Sequence, residues 1–259
     1  MRFKLNIGLH GNKNRLPINY QYELSSFIYK TLQRGDMEYS KWLHNNGFQL
    51  KGKPFKLFTF SNFIIPYRDI DKKEGRIIIK SSDIYWHLSF LPEISTENFI
   101  KGIFCEKRFS IGDKKSKVEF YVRSIEIYPE PEFSKEMQFK TLTPINISRK
   151  DEEGKIIYMD PAEEIAKQAI LNNLLNKYQV FYGKEYPANI GEIDFDFRTI
   201  YESRSKLILI KAGTPKETKV KGYNCEFKIK APVDLIKIMY RGGIGEKGSL
   251  GFGMVEIKG

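Results

Sequence analysis

One order of predicted strands and helices occurs twice along the chain, and this repetition constrains the fold more than any single motif. Side chains that alternate between apolar and polar indicate strands, whereas apolar side chains three or four residues apart indicate helices. In the first half these patterns predict a strand at residues 2–9, a helix at 22–33 and three strands at 55–64, 75–80 and 83–91. A second helix, with Ser95 as its cap, and a closing hairpin around the turn GDKK follow.

The second half repeats this order after the segment YPEPEFSKE (residues 128–136), whose two prolines interrupt both strand and helix patterns. A strand and a hairpin through DEEGK precede a helix that we expect to begin at Asp160, with Asp160 as its cap and Glu163 completing a capping box. Three strands, a short helix and a final strand follow, at residues 190–200, 206–211, 219–230, 232–240 and 252–257.

The two halves together predict an α+β fold of two tandem ferredoxin-like (RRM-like, βαββαβ) domains with antiparallel sheets. We place the N-terminal domain at residues 1–129 and the C-terminal domain at residues 130–259, with a glycine-rich loop at residues 242–253. Because 41% of the residues are hydrophobic, the chain can bury a substantial core, which excludes a disordered tail or a miniprotein held by disulfides.

The charge balance favours a polyanionic partner. Lys and Arg number 43 against 32 Asp and Glu, which gives a net charge of +11, and a basic protein with 15 Tyr and 19 Phe is typical of nucleic-acid binding. No apolar run approaches the length that spans a bilayer and the N-terminus does not resemble a signal peptide, so we expect a cytoplasmic protein. Cys105 and Cys225 form no CxxC pair, and we expect both to be buried, reduced thiols.

The segment RGGIGEKGSLGFG contains six glycines within residues 242–253. Gly243, Gly245 and Gly248 match GxGxxG, but they follow a predicted helix and lead into a strand, which excludes a dinucleotide fingerprint. Lys247 is not placed as in a Walker loop. Two interpretations stay open, since glycines let backbone amides approach a phosphate or let the loop pack tightly between two domains.

Several local segments together resemble one family. The ending GEKGSLGFGMVEI is similar to the glycine-rich loop of the RAMP proteins, and MRFKLNI, LPINYQYELSSFIYKTL, WLHNNGF, KLFTFS and TLTPINI narrow the resemblance to the Cas6 family. These enzymes are CRISPR-associated endoribonucleases that cut CRISPR precursor RNA within its repeats. The resemblance implies repeat RNA as the partner, with subunits of CRISPR interference complexes as further candidates, and no cofactor or metal. A monomer and a homodimer are both compatible with the sequence.

The resemblance also implies a catalytic set of His44, Tyr29 and Lys56. In the family a histidine, a tyrosine and a lysine cleave RNA without metal, by attack of a 2′-hydroxyl on the adjacent phosphate. His44 would then protonate the leaving oxygen, Tyr29 would accept from or orient the 2′-hydroxyl, and Lys56 would stabilise the phosphorane. Without the family, a histidine near a helix end is more often a surface or capping residue.

Basic residues on strands and loops are candidates for phosphate contacts, together with three loop glycines. The candidate RNA-binding residues are Lys51, Lys53, Arg204, Lys206, Lys211, Arg241, Gly243, Gly245, Lys247 and Gly248. Each lysine or arginine alone could equally be a solvated charge. His10 is a weaker RNA-contact candidate, and His87 is expected to pack within a sheet.

Two other functions stay open at this stage. A non-catalytic RAMP-type RNA-binding subunit would share the fold, the charge and the glycine-rich loop, but it would lack a histidine placed like His44. A metabolic enzyme of tandem ferredoxin-like architecture is the second alternative, because fold alone does not determine function.

Overall fold

The computed structural model describes residues 1–258. The first half contains ten strands and three helices, namely β1 (Arg2–Leu9), β2 (Arg15–Pro17), α1 (Gln21–Gly35), α2 (Met37–Asn45), β3 (Phe48–Leu50), β4 (Lys53–Phe55), β5 (Phe58–Phe60), β6 (Arg68–Asp71), β7 (Arg76–Ile79), β8 (Ile84–Phe90), α3 (Glu93–Cys105), β9 (Arg108–Gly112) and β10 (Lys117–Ile127). The second half contains eight strands and two helices, namely β11 (Glu136–Thr141), β12 (Ser148–Lys150), β13 (Ile156–Tyr158), α4 (Glu164–Tyr182), β14 (Asp196–Thr199), β15 (Arg204–Ile210), β16 (Thr218–Asn224), β17 (Glu226–Lys230), α5 (Val233–Gly242) and β18 (Val255–Ile257).

The main sheet of the first half has the strand order β5-β8-β1-β10-β9, with antiparallel pairing throughout. Strand β1 lies at its centre because Phe3, Leu5 and Ile7 alternate along it and are completely buried. Helices α1 and α3 pack on that buried face. Their backbones come so close that a Cβ added at Gly102 would lie 1.9 Å from the Thr31 carbonyl oxygen, so only glycine fits there.

The second half repeats this arrangement in the four-stranded sheet β14-β17-β11-β18. Its core contains Phe139, Phe197 and Phe227 from three of these strands, covered by α4 and α5. In each sheet the first strand in chain order lies between the third and the last, and the second strand forms one edge. The predicted α+β fold of two ferredoxin-like units is therefore confirmed.

A separate hairpin, β15–β16, extends from the second half and packs against α1 of the first half. Ile208, Ile210 and Val220 of this hairpin form a small apolar cluster with Phe252, and Tyr22 of α1 packs against it. The hairpin thus joins the glycine-rich loop to the first helix of the chain.

The two halves also meet through buried polar contacts at the start of β1. The buried Arg2 guanidinium donates to the carbonyl oxygens of Val255 and Tyr240, at 2.6 Å each. Thr59 Oγ1 of β5 donates to the Phe252 carbonyl oxygen at 2.8 Å. These bonds hold the end of the chain, including the glycine-rich loop, against the first sheet.

Some local expectations were wrong. Helix α3 begins at Glu93 after Pro92, so Ser95 does not cap it. The buried Ser95 hydroxyl hydrogen-bonds the Tyr39 hydroxyl instead. Helix α4 begins at Glu164 rather than at Asp160. The Glu163 carboxylate does accept from the Asp160 amide, at 3.2 Å, but this contact lies in a turn before the helix.

Both cysteines are free, and Cys225 is buried as expected, whereas Cys105 is exposed because it lies at the solvent-facing end of α3. No helix within residues 1–258 is long and apolar enough to cross a membrane.

Candidate active site

His44 and Tyr29 lie on neighbouring helices and face each other. Asp36 separates α1 from α2, and its carboxylate caps α2 by accepting from the Tyr39 amide at 2.9 Å. Ser40 Oγ then donates to the Tyr29 carbonyl oxygen at 3.0 Å, which fixes α2 against α1. The rings of Tyr29 and His44 consequently meet edge to face, with centroids 5.0 Å apart. The His44 side chain remains exposed.

The Lys56 ammonium lies at the C-terminal end of α2, directly beneath His44. It donates to the main-chain carbonyl oxygens of Leu43 and of His44, the latter at 2.8 Å. These carbonyls have no partner within the helix, so the ammonium satisfies them and neutralises the negative end of the helix dipole. Partial burial lowers the pKa of Lys56. Since an ammonium has three N–H groups, one remains for a phosphate oxygen.

The Tyr29 hydroxyl lies in a half-buried position between Phe58 and the glycine-rich loop. Its ring meets Phe58 edge to face at 5.7 Å, and Ser249 of the loop lies beside its hydroxyl. Burial raises the pKa of Tyr29 above its usual value. A tyrosine in this environment stays neutral near pH 7, which favours an orienting role over that of a base.

The glycine-rich loop packs against β5 and thereby reaches Tyr29. A Cβ added at Gly248 would lie 2.6 Å from the Phe58 carbonyl oxygen, and one at Gly245 would lie 2.5 Å from the Asn146 carbonyl oxygen. At Gly243 the backbone has φ +79°, which favours glycine, and an added Cβ would lie 3.1 Å from Thr59 Cβ. The loop conformation therefore requires glycine for tight packing between the two halves, and the same loop brings Ser249 beside the candidate catalytic tyrosine.

Helix α4 holds the other side of the loop through Lys177, which the sequence analysis did not identify. This side chain is buried, and its ammonium donates to the carbonyl oxygens of Gly243 at 2.5 Å and Gly245 at 2.9 Å, with Gly242 at 3.5 Å. Burial lowers the pKa of Lys177 to about 7. One signal was present in the sequence, because Lys177 lies three residues after Leu174 and so on the apolar stripe of the helix.

A cleft of about 550 Å³ adjoins this cluster, between β4–β5, α4 and the glycine-rich loop. Two of the predicted RNA-binding lysines, Lys53 and Lys247, line it together with Lys56. Lys51 lies nearby at the exposed turn between β3 and β4, with φ +48°. Predicted catalytic and basic residues from distant parts of the sequence thus lie around one concave surface.

Proteins of one family match this chain over nearly its full length. A family model for the N-terminal part of CRISPR-associated protein Cas6 matches residues 15–126, and one for its C-terminal part matches residues 128–257. The chain is also 33% identical to CRISPR-associated endoribonuclease Cas6 1 of Methanocaldococcus jannaschii, over 93% of this chain and 86% of that protein. The chain belongs to the Cas6 family.

Other Cas6 proteins extend the agreement to the structure. CRISPR-associated endoribonuclease Cas6 of Pyrococcus furiosus is 28% identical over 95% of this chain and 84% of its own length. The solved structure of a Cas6-related protein from Pyrococcus furiosus superposes with a TM-score of 0.83 at 27% identity, covering 100% of this chain and 98% of that one. The family resemblance predicted from the sequence is confirmed.

The remaining predicted residues of this Cas6-family chain lie away from the cleft. Arg241 pairs with Glu130. Arg204, Lys206 and Lys211 lie on or at the end of hairpin strand β15, where the Lys211 ammonium stands 5.2 Å from the centre of the Tyr22 ring. The structure therefore separates a basic hairpin surface from the lysines around the cleft.

The two other histidines also lie apart from His44. His87 packs on the first sheet, with its ring 5.6 Å from that of Tyr128, and burial lowers the pKa of His87 to about 4. The His10 ring lies near the Tyr121 ring, with centroids 6.5 Å apart. Among residues 1–258, no three His, Cys, Asp or Glu side chains are grouped as a metal site would require.

Proposed function

We propose that this protein is an endoribonuclease that binds CRISPR repeat RNA and cleaves precursor CRISPR RNA within its repeats. The observation that carries the proposal is the cluster of His44, Tyr29 and Lys56, which offers an exposed imidazole, a neutral hydroxyl and an ammonium at one place. Two relatives at 33% and 28% identity are named CRISPR-associated endoribonucleases, which supports the same activity.

The reaction we propose is an internal transesterification. The 2′-oxygen attacks the adjacent phosphorus while its proton passes to water, and the bond from phosphorus to the 5′-oxygen breaks. The leaving oxygen takes a proton from the His44 imidazolium, so the products are a 2′,3′-cyclic phosphate and a 5′-hydroxyl. Histidine suits this role because its charge changes between about pH 5 and 8, so it can release a proton near neutral pH.

Tyr29 and Lys56 act on the same phosphate in this proposal. Tyr29 accepts a hydrogen bond from the 2′-hydroxyl and holds it in line with the leaving oxygen, as its raised pKa favours a neutral phenol. The free N–H of Lys56 stabilises the charge that develops on the phosphorane oxygens. The three groups supply positioning, a proton and a cation, so the proposed reaction needs no metal.

We also assign the parts of the chain to this activity. The catalytic cluster belongs to an N-terminal domain of residues 1–129, and a C-terminal domain of residues 130–259 supplies the glycine-rich loop, which binds Ser25 on the same helix as Tyr29. The basic hairpin and the lysines around the cleft contact RNA phosphates in this assignment.

The test is cleavage of the cognate repeat RNA in EDTA by the wild type and by His44→Ala, with analysis of the fragment ends. We expect one cut that leaves a cyclic phosphate, lost in the variant although RNA binding persists. Binding without cleavage by the wild type would instead indicate a non-catalytic RNA-binding subunit of a CRISPR interference complex. Cleavage that requires added magnesium would contradict the proposed chemistry.

A further inference from the structure

We propose that the cleft between α4 and the glycine-rich loop binds one unstacked nucleotide of the RNA, next to the phosphate that is cut, and that asparagine side chains on α4 recognise its base. This inference rests on the proposed function, because it concerns the same RNA. Lys56 lies in the wall of the cleft and also contacts the His44 carbonyl. An RNA with its cut phosphate at His44 therefore lies close to Lys56 and to the cleft that Lys56 lines.

The dimensions of the cleft fit a nucleotide. Its volume is about 550 Å³, within the range of about 300 to 1,000 Å³ typical of small-molecule sites. Phe55 contributes a half-buried aromatic wall, and Lys53 and Lys247 supply cations at its sides. An aromatic wall suits the face of a base and cations suit the flanking phosphates, which is how proteins bind single-stranded RNA.

The side of the cleft formed by α4 is rich in amides. Asn172, Asn173 and Asn176 line it within a single turn and a half of the helix. Asparagine is a poor residue for a helix interior, so helix formation does not explain three of them in this segment. The Asn173 Oδ1 atom is buried and has no hydrogen-bond partner among the described residues. Such an atom costs about 1 to 3 kcal/mol unless a ligand or water satisfies it.

An asparagine amide presents a donor and an acceptor side by side, which matches the edge of a base. Asn173 and Asn176 provide this pair of groups, whereas the Oδ1 atom of the exposed Asn172 already accepts from Gln168 Nε2 at 3.3 Å. Glu246 also lines the cleft, but Ser148 Oγ donates to its carboxylate at 2.7 Å. The unpartnered Oδ1 atom thus belongs to a residue that lines the cleft.

The experiment is an abasic scan of the repeat RNA, in which the base of each nucleotide is removed in turn and the Kd is measured. The proteins are the wild type, the double variant Asn173→Ala/Asn176→Ala, and Asn172→Ala as the matched control. For the wild type and the control we expect a loss of about tenfold, as for one base contact, at one nucleotide within two positions of the cut. The double variant should bind the intact RNA about tenfold more weakly and should no longer distinguish that abasic site.

Two outcomes would overturn the inference: a double variant with the same abasic profile as the wild type, or a profile without a sensitive nucleotide near the cut. A different result would contradict the proposed function, namely that the wild type does not cleave the unmodified repeat RNA. The thermal unfolding midpoint of Asn173→Ala provides a further check, because removal of an unpaired buried acceptor should leave the midpoint unchanged or raise it. A purely structural asparagine would lower the midpoint.

Discussion

Helices α1 and α4 occupy equivalent positions in the two ferredoxin-like halves, yet they contact the glycine-rich loop with different chemistry. Helix α1 uses neutral groups, since Ser25 Oγ donates to the Ser249 carbonyl oxygen at 2.7 Å and Gln21 Nε2 to that of Gly251 at 3.3 Å. Helix α4 uses the buried ammonium of Lys177, which binds loop carbonyls at 2.5 and 2.9 Å.

This difference shows how a repeated fold can divide one task. In our proposal the first half carries the groups that act on the phosphate, and the second half carries the loop and the Lys177 side chain that binds its carbonyl oxygens. Tyr29 of α1 meets the loop at Ser249, so the position of the loop bears directly on the catalytic cluster. Changes on the α1 side should therefore act mainly on the reaction rate, and changes on the α4 side mainly on stability.

The largest expected effect is that of His44→Ala. Loss of the general acid should reduce the cleavage rate by about 10³-fold, within the range found for acid catalysis. Because the side chain is exposed, the unfolding midpoint should change little. Single-turnover cleavage and thermal unfolding measure the two quantities, with Glu38→Gln on the exposed side of the same helix as the control. A large fall in stability with a small fall in rate would assign His44 to structure rather than chemistry.

Lys56→Met should have the next largest effect. It removes the proposed cation and leaves the carbonyl oxygens of Leu43 and His44 without their partner, so we expect the rate to fall by about 10²-fold. Lys56→Arg retains the charge and should recover part of the rate. If Lys56→Arg cleaves as slowly as Lys56→Met although both variants fold normally, Lys56 does not stabilise the phosphorane through its charge.

Lys177→Met tests the α4 side of the comparison. The loop carbonyls of Gly243 and Gly245 would lose a buried donor, which we expect to lower the free energy of unfolding by about 2 kcal/mol. Urea unfolding measures this change, with the exposed Lys184→Met as control. RNA cleavage well below the unfolding midpoint should fall less than in Lys56→Met. A Lys177→Met protein as stable as the wild type would contradict the role assigned to this ammonium.

The pH dependence of stability offers a further test of Lys177. Burial lowers its pKa to about 7 from 10.5, so between these values the unfolded chain binds a proton that the folded chain has released. Linkage then requires the free energy of unfolding to rise with pH across this window, and to gain nothing from this group below pH 7. Urea unfolding between about pH 7 and 9.5 should show a steeper rise for the wild type than for Lys177→Met. Equal slopes would mean that Lys177 remains protonated in the folded protein.

The smallest expected effect is that of Lys53→Ala. An exposed lysine beside the cleft should contribute one phosphate contact, so its removal should weaken RNA binding a few-fold. The slope of log K against log salt should decrease by about 0.7 for single-stranded RNA. Titrations at several salt concentrations measure this slope, with Lys72→Ala in an exposed turn as the control. An unchanged slope would remove Lys53 from the RNA path.

The sequence predicted most of the fold because periodic patterns are local. Strand β1 was predicted at residues 2–9, where the structure has it, and the βαββαβ order of both halves was predicted as well. The short strands β2, β3, β4 and β6 were not predicted, and the strand expected at residues 219–230 is two strands, β16 and β17. The starts of α3 and α4 were wrong. The Ser95 hydroxyl contacts Tyr39, and the Asp160 carboxylate accepts from Ser203 and from the Ala162 amide in the turn before α4. Tyr39 and Ser203 are distant in sequence from these residues, so no local pattern could indicate them.

Less of the candidate site than of the fold could be predicted from the sequence. His44, Tyr29 and Lys56 followed from the family resemblance, and their proximity is a property of the structure. The contact between Ser249 and Tyr29 could not be predicted, because the two residues are distant in the sequence and meet only in the folded protein. Lys177 could have been noticed as a charge on an apolar stripe, but its carbonyl partners could not, since they depend on the loop conformation.

The most direct test of the central claim replaces the leaving oxygen at the cut phosphate by sulfur. A thiolate leaves without protonation, so a missing general acid no longer limits the rate. After the cut has been mapped with the wild type, we predict that His44→Ala cleaves the sulfur substrate within about tenfold of the wild-type rate, although it is about 10³-fold slower on normal RNA. If His44→Ala is equally impaired on both substrates, His44 does not donate the proton to the leaving oxygen.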